Sequence, residues 1–114
     1  GIIKTTNGGT TWFSIGGDVM NVTGIAFANN NTGFACTSLG KLYKTTNQGT
    51  SWNLAGTFGT EIYAMDFCSE QNGVFAAHVS GNATIYSTTN SGNTWISVYS
   101  ASTFFIHNLL ISCQ

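Results

Sequence analysis

Apolar and polar residues alternate with period two over much of this chain. In the segments 13–15 and 96–98, for example, an apolar residue stands on each side of a serine. Such alternation is typical of half-buried β-strands. No apolar period of 3.6 persists over ten residues, so the pattern predicts no helix. We therefore predict an all-β fold.

One eight-residue stretch occurs three times between these alternating segments. It is Thr-Thr-Asn-Gly-Gly-Thr-Thr-Trp at 5–12, Thr-Thr-Asn-Gln-Gly-Thr-Ser-Trp at 45–52 and Thr-Thr-Asn-Ser-Gly-Asn-Thr-Trp at 88–95. Trp12 and Trp52 are 40 residues apart, and Trp52 and Trp95 are 43 apart. A period of about 40 residues indicates a repeat architecture.

Each copy predicts a tight hairpin turn. Asparagine tolerates positive φ and bonds its own backbone, and glycine adopts the left-handed region at little cost. We expect Asn7, Asn47 and Asn90 to lie in three equivalent turns, with each side chain bonding the nearby backbone. The tryptophan that closes each copy should bury its ring. We expect Trp52→Ala to lower the free energy of unfolding by about 3–5 kcal/mol.

The repeated stretch resembles the Asp-box, or BNR repeat, whose pattern is Ser/Thr-x-Asp-x-Gly-x-Thr-Trp. In that family, which includes sialidase-like propellers, the box joins the third and fourth strands of a β-propeller blade and is structural. Asparagine replaces aspartate in all three copies, which keeps the carbonyl acceptor and removes the charge. Segments 31–35 and 71–76 also resemble the start of the second strand in propellers like photosystem II assembly factors. The residues that match the box are Thr5, Asn7, Gly9, Thr11, Trp12, Thr45, Asn47, Gly49, Ser51, Trp52, Thr88, Asn90, Gly92, Thr94 and Trp95.

The resemblance implies a partial β-propeller built from four-stranded antiparallel blades. Residues 1–15 are predicted to end one blade, 19–55 and 58–99 to form two whole blades, and 104–114 to begin another. The second whole blade has three more residues than the first between its second-strand glycine and its box glycine. The predicted strands are 22–28, 33–38, 41–46 and 51–55 in the first blade, 61–68, 73–80, 83–89 and 94–99 in the second, and 104–112 in the last.

The chain carries very little charge. It has three lysines, no arginine, four carboxylates and a net charge of −1. Phosphate contacts need clustered Lys or Arg, so the composition excludes nucleic-acid binding. No apolar run approaches the roughly 18 residues of a membrane-spanning helix, so we expect no membrane insertion.

Few side chains are candidates for catalysis or metal binding. His78 and His107 do not stand at metal-binding spacing with a cysteine or carboxylate, so we predict no metal and no cofactor. We interpret Asp66, on a predicted inner strand, as a hydrogen-bonded structural residue. Glu61 lies five residues away and faces the other side of the strand, so the two do not form a glycosidase pair. Sialidases depend on an arginine triad, and this chain has no arginine. We predict that the segment is not an enzyme.

Cys36, Cys68 and Cys113 form no Cys-x-x-Cys motif. Two interpretations stay open. The cysteines are small buried hydrophobic residues on strands, or two of them form a disulfide that joins neighbouring blades and leaves one thiol over.

Two classes of function are compatible with this sequence. The first is a non-catalytic structural or protein-binding propeller segment of a larger secreted or cell-surface protein. The low charge of this chain and its abundance of Thr, Ser and Asn resemble those of secreted bacterial surface propellers. The second is a carbohydrate-binding module or part of a glycoside hydrolase propeller. For the second, the tyrosines would provide rings on which sugars stack, although aromatic side chains in strands more often pack against other residues. The four tyrosines are Tyr43, Tyr63, Tyr86 and Tyr99.

Both ends of the sequence are apolar, at 1–3 and at 104–106 with 109–111. Propellers generally need about four or more blades to close, and bare blade faces need covering. We expect either further blades of the same propeller or identical chains to cover them. In the second case, 104–112 of one chain would supply the inner strand for the hairpin at 1–15 of the next. Either arrangement predicts that an isolated, dilute chain is poorly folded or aggregates.

Overall fold

The computed structural model describes residues 1–17, 19–102 and 109–113. Within this part of the chain there are ten β-strands, and no helix that could cross a membrane. The all-β prediction is confirmed. The strands are β1 (Ile3–Lys4), β2 (Phe13–Ser14), β3 (Val22–Phe27), β4 (Gly33–Thr37), β5 (Lys41–Thr45), β6 (Asn53–Thr57), β7 (Ile62–Phe67), β8 (Gly73–Val79), β9 (Asn82–Thr88) and β10 (Ile96–Ala101).

The strands form two four-stranded sheets and one hairpin. Strands β3 to β6 pair in chain order, as do β7 to β10, and every pairing is antiparallel. Strands β1 and β2 form a two-stranded sheet. The outermost strands begin two residues later than predicted, at Asn53 and Ile96. The reason is that the Ser51 and Thr94 N–H groups donate to box asparagines instead of to a neighbouring strand.

The two four-stranded sheets differ in the turn between their second and third strands. Strands β8 and β9 have seven residues each, whereas β4 and β5 have five. The turn between β8 and β9 is Ser80-Gly81, with φ of 51° and 83°, one residue earlier than predicted. Two consecutive residues with positive φ suit a two-residue hairpin, so the three additional residues lengthen the hairpin arms.

Aromatic rings join the two sheets into one core. The Phe34 ring of β4 stacks on the Phe67 ring of β7, with centroids 4.5 Å apart and planes at 4°. Fully buried Leu42, Ile62 and Phe75 complete the centre of this cluster. The Thr23 hydroxyl also donates to the Ile62 carbonyl, which ties β3 to β7.

Glycine begins the second strand of both sheets for a steric reason. Phe27 is paired with Gly33, and Phe67 with Gly73. A Cβ atom at Gly33 would lie 2.8 Å from the Phe27 ring, and one at Gly73 would lie 2.5 Å from the Phe67 ring. Each ring therefore lies across its glycine, and a side chain there would displace it.

The three tryptophans are buried to different extents. Trp12 is 55% exposed, so the expectation of a buried ring is wrong for the first copy. Trp52 is partly buried, and its ring contacts that of Phe27. Trp95 contacts the rings of Phe34, Phe67 and Phe75. The difference arises because Trp95 lies between two complete sheets, whereas Trp52 lies between a sheet and the β1–β2 hairpin.

Residues 109–113 are fastened to β7 and the residue after it. Cys113 forms a disulfide with Cys68, their Cα atoms 5.3 Å apart, and the Ile111 N–H donates to Asp66 Oδ2 at 3.0 Å. Cys36 is buried as a free thiol, and burial raises the pKa of that thiol, so it stays neutral. Two of the three cysteines thus form a disulfide and one thiol is left over, as in the second interpretation, and that thiol is a small buried side chain on β4.

A strand is predicted at 104–112, and the described part of this segment, 109–112, does not form one. Residues 109–112 belong to no strand, because the disulfide and the Asp66 bond hold them instead of a ladder. Residues 104–108, with the predicted apolar run and His107, lie outside the described residues.

We expect Trp95→Ala to lower the free energy of unfolding by about 3 kcal/mol, because it removes three ring contacts and leaves a cavity. Trp12→Ala is the matched control, and its exposed ring should cost less than about 1 kcal/mol. Urea titration of both variants measures the difference, and equal losses would contradict the packing described here.

We expect Cys113→Ser to lower the free energy of unfolding by about 4 kcal/mol, because the disulfide closes a loop of 45 residues. Reduction of the unmodified chain should lower its melting temperature to that of the variant, and reduction of the variant should change nothing. A variant as stable as the oxidised chain would show that the bond does not restrain the fold.

Candidate functional site

The three box turns share one hydrogen-bond network. In the second copy, Asn47 Oδ1 accepts from Thr45 Oγ1 at 2.8 Å and from the Ser51 N–H at 3.0 Å, and Asn47 Nδ2 donates to Ser51 Oγ at 2.9 Å. Thr45 Oγ1 accepts from the Gly49 N–H at 2.9 Å. The same bonds occur in the first copy and in the third. The backbone bonding expected of the three asparagines is thus present.

The box glycine is also a contact between successive repeats. A Cβ atom at Gly49 would lie 2.5 Å from Ile15 Cδ1, and one at Gly92 would lie 2.6 Å from Phe34 Cε1. Both glycines have positive φ, at 89° and 83°. Glycine is therefore required twice over, for the turn and for the close approach of the preceding repeat.

Lysines connect the second and the third box to the repeat that precedes each of them. Lys4 Nζ donates to Gln48 Oε1 at 3.2 Å and to the Gln48 carbonyl at 3.4 Å. Lys44 Nζ donates to the Ser91 carbonyl at 3.0 Å and to Ser91 Oγ at 3.4 Å. The boxes thus take part in contacts that hold the sheets side by side.

Among the described candidate catalytic residues, Glu61 and His78 are neighbours, since the His78 N–H donates to the Glu61 carbonyl at 3.2 Å, whereas Asp66 is engaged elsewhere. The Asp66 carboxylate is engaged by the Ile111 backbone, which is the structural role expected of it. Glu61 and Glu70 are exposed, and His78 is partly buried on β8. The described residues contain no group of three or more His, Cys, Asp or Glu side chains that could hold a metal ion.

Three of the four tyrosines have clearly different environments. Tyr86 packs in the core, 4.9 Å from the Phe75 centroid and 5.6 Å from that of Phe58. Tyr99 is 57% exposed on β10. Tyr43 lines a cavity of about 280 Å³ with Thr50, Ser51 and Trp52. This cavity combines two aromatic rings with two hydroxyl groups.

An apolar opening lies between the β1–β2 hairpin and β3. Its volume is about 300 Å³. We call it the β1 cavity. Ile3 is 64% exposed, Ile25 43% and Phe27 40%, so the apolar lining is open to solvent. The sequence indicated the apolar start of the chain but not this surface, because the surface combines segments that are ten or more residues apart along the chain. The lining is Ile2, Ile3, Lys4, Ile15, Ile25, Phe27, Asn29 and Asn30.

One edge of β1 borders this cavity. In the described part of the chain, β1 pairs only with β2, whereas its counterpart β5 pairs with β4 on one side and β6 on the other. The Ile15 N–H donates to the Ile2 carbonyl at 2.9 Å. Because hydrogen-bonded and non-bonded pairs alternate in an antiparallel ladder, the peptide groups of Ile3 point to the opposite edge.

Comparison with solved structures assigns the fold. A structure of YCF48 bound to a D1 peptide matches with a TM-score of 0.61 and 14% identity, over 69% of this chain and 26% of that chain. An ancestral GH74 enzyme matches with a TM-score of 0.73 and 24% identity, over 90% of this chain and 16% of that one. The chain is an all-β partial β-propeller. It spans about a quarter of the first protein and about a sixth of the second. No protein-family model and no curated protein matches the sequence.

We expect Asn47→Ala to lower the free energy of unfolding by about 1–2 kcal/mol, because the Ser51 N–H and the Thr45 hydroxyl lose their acceptor. Asn47→Asp keeps that acceptor and should change stability by less than about 0.5 kcal/mol. Thermal melts of the two variants test the role of the Asn47 side-chain carbonyl. A loss of stability in the aspartate variant as large as that in the alanine variant would contradict this role.

Proposed function

We propose that this chain is a non-catalytic propeller segment of the Asp-box type that binds a protein partner at the β1 cavity. The observation that carries the proposal is the cluster of exposed apolar side chains there, Ile3, Ile25 and Phe27. Contiguous apolar surface with a polar rim is typical of protein interaction sites. Lys4, Asn29 and Asn30 form the rim.

The non-catalytic part of the proposal rests on what the repeated residues do. The box side chains bond to one another and to their own turn. The Asp66 carboxylate bonds the backbone of Ile111. The similar structure of YCF48 is described with a bound peptide, which supports a protein ligand for a fold of this kind.

The proposal includes a secreted or cell-surface location, in a bacterium as the resemblance implies. The Cys68–Cys113 disulfide supports it, because disulfides persist mainly in oxidising compartments. In this setting the chain would form part of a larger propeller, whose other blades or identical chains are its further partners.

A second candidate is carbohydrate binding in the cavity lined by Tyr43 and Trp52. Its aromatic rings provide apolar faces, and Thr50 and Ser51 provide hydroxyl groups that bond sugars. We rank it second because its Trp52 indole N–H is already engaged by the Ile15 carbonyl at 2.9 Å.

Ile3→Asp is the direct test of the proposed function. Screening the labelled chain against a peptide array and a glycan array should yield peptide ligands, and Ile3→Asp should abolish their binding because a carboxylate in the β1 cavity is costly to bury. Ile96→Asp is the matched control, since Ile96 is 65% exposed on β10, outside the cavity, against 64% for Ile3.

The outcomes separate the candidates. Peptide binding lost in Ile3→Asp and kept in Ile96→Asp supports the protein-binding site. Glycan binding that is lost in Tyr43→Ala favours the second candidate. Binding of neither class, or equal loss in the two aspartate variants, refutes the proposed site.

A further inference from the structure

The cavity of about 280 Å³ beside Tyr43 has a counterpart in the second four-stranded sheet. We call it the Tyr43 cavity. Its walls are 16–17 with Val19, Tyr43 on β5, and 50–52 in the second box. Among the described residues it shares no lining side chain with the β1 cavity, so the two are separate sites.

The same place in the second sheet is filled by two phenylalanine rings. Tyr86 and Trp95 stand there, 43 residues after the two aromatic residues of the Tyr43 cavity. The Phe75 ring centroid lies 4.9 Å from that of Tyr86 and 4.8 Å from that of Trp95. The Phe58 ring centroid lies 5.6 Å from that of Tyr86. A tyrosine and a box tryptophan in this arrangement therefore accept aromatic rings against them.

The first sheet lacks both rings because of its own residues. Phe75 is paired with Tyr86 in the second sheet. Ala35 has that position in the first sheet, opposite Tyr43. The position forty residues before Phe58 is an aspartate, which lies outside the described residues. Small or polar residues at the two ring positions leave a cavity, and they are part of this sequence, so the cavity does not depend on where the sequence begins.

Two polar groups of the Tyr43 cavity are engaged within the chain. The Trp52 indole N–H donates to the Ile15 carbonyl at 2.9 Å. Ser51 Oγ accepts from Asn47 Nδ2, also at 2.9 Å. A sugar needs free polar groups around its hydroxyls, whereas an aromatic ring needs mainly the faces or edges of other rings. The contacts therefore favour an aromatic ring over a sugar as the ligand.

The size of the cavity fits one side chain. Sites for drug-sized ligands measure about 300–1,000 Å³. The Tyr43 cavity, at about 280 Å³, lies just below that range. Tyr43 and Trp52 are each only partly buried, so part of each ring is open to a ligand.

We propose that the Tyr43 cavity binds a phenylalanine side chain of a protein partner. The ring lies against Tyr43 and Trp52 as Phe75 and Phe58 lie against their counterparts in the second sheet. Aromatic side chains are enriched in the buried centres of protein interfaces. This inference rests on the proposed function in that the ligand is a protein, and it adds a second site that does not require the β1 cavity.

N-acetyl-phenylalaninamide is the probe, and N-acetyl-leucinamide is its aliphatic control. In an NMR titration of the 114-residue chain, the phenylalanine probe should shift the Trp52 indole N–H resonance in a saturable manner. The leucine probe should bind at least about threefold more weakly, because it lacks a ring to pack on Tyr43. The Trp95 indole N–H is the internal reference and should not shift, because other rings already surround Trp95.

Substitutions of Tyr43 test the ring contact. Tyr43→Ala should weaken binding of the phenylalanine probe at least about fivefold, whereas Tyr43→Phe keeps the ring and should bind it as the unmodified chain does. Tyr99→Ala is the matched control, since Tyr99 is 57% exposed on β10 and does not line the cavity.

Ala35→Phe tests the explanation of the cavity. It places the ring of the second sheet in the first, and it should abolish probe binding without lowering the melting temperature. A variant that melts at least as high as the unmodified chain and still binds the probe equally well would overturn the inference. The Tyr43 variants decide independently of how Ala35→Phe folds.

The remaining outcomes separate this inference from its alternatives. A Trp52 shift caused by methyl glucoside and not by the phenylalanine probe overturns it in favour of carbohydrate binding. No shift with any probe, or equal shifts of the Trp52 and Trp95 resonances, also overturns it. Ile3→Asp should bind the probe as the unmodified chain does, so failure of the Tyr43 site leaves the β1 cavity proposal standing, and the reverse holds as well.

Discussion

The hydrogen bonds between threonine and asparagine in the box turn are the constraint on which the rest of this structure depends. The asparagine carbonyl accepts from a hydroxyl two residues before it and from a backbone N–H four residues after it, and so closes the hairpin between the third and fourth strands. A charged acceptor is not needed for this geometry, because Asn Oδ1 accepts the same bonds. The asparagine amide adds a donor, which the Ser51 hydroxyl accepts.

The box matters beyond its own turn because its glycine is the surface on which the preceding repeat packs. Ile15 lies against Gly49 and Phe34 lies against Gly92. A local turn and a long-range interface therefore impose the same requirement on one residue. Aromatic stacking between Phe34 and Phe67 then joins the sheets, and Trp95 closes the cluster from the side.

The β1 cavity is explained by comparing the first repeat with the two complete sheets. Among the described residues, the stacking of Phe34 on Phe67 has no equivalent at Phe27, whose surroundings include a two-stranded hairpin instead of a full sheet. The apolar surface that results is the strongest candidate for an interaction site. Asp66 and the two glutamates are weaker candidates for a functional site, since Asp66 accepts a bond from the Ile111 backbone N–H and the glutamates are exposed.

The sequence by itself determined the all-β class, the repeat of about 40 residues and the bonding of the box asparagines, because alternation and turn chemistry are local properties. It also indicated that Asp66 would be structural and that the start of the chain would offer apolar surface. Only the tertiary structure decided that Trp12 is exposed while Trp95 is packed, that Cys68 pairs with Cys113, and that Ile25 and Phe27 share a cavity with Ile3. These features depend on which distant segments meet. One sequence motif therefore gives three identical turns, but the burial of each tryptophan is set by the sheet or hairpin that packs against it.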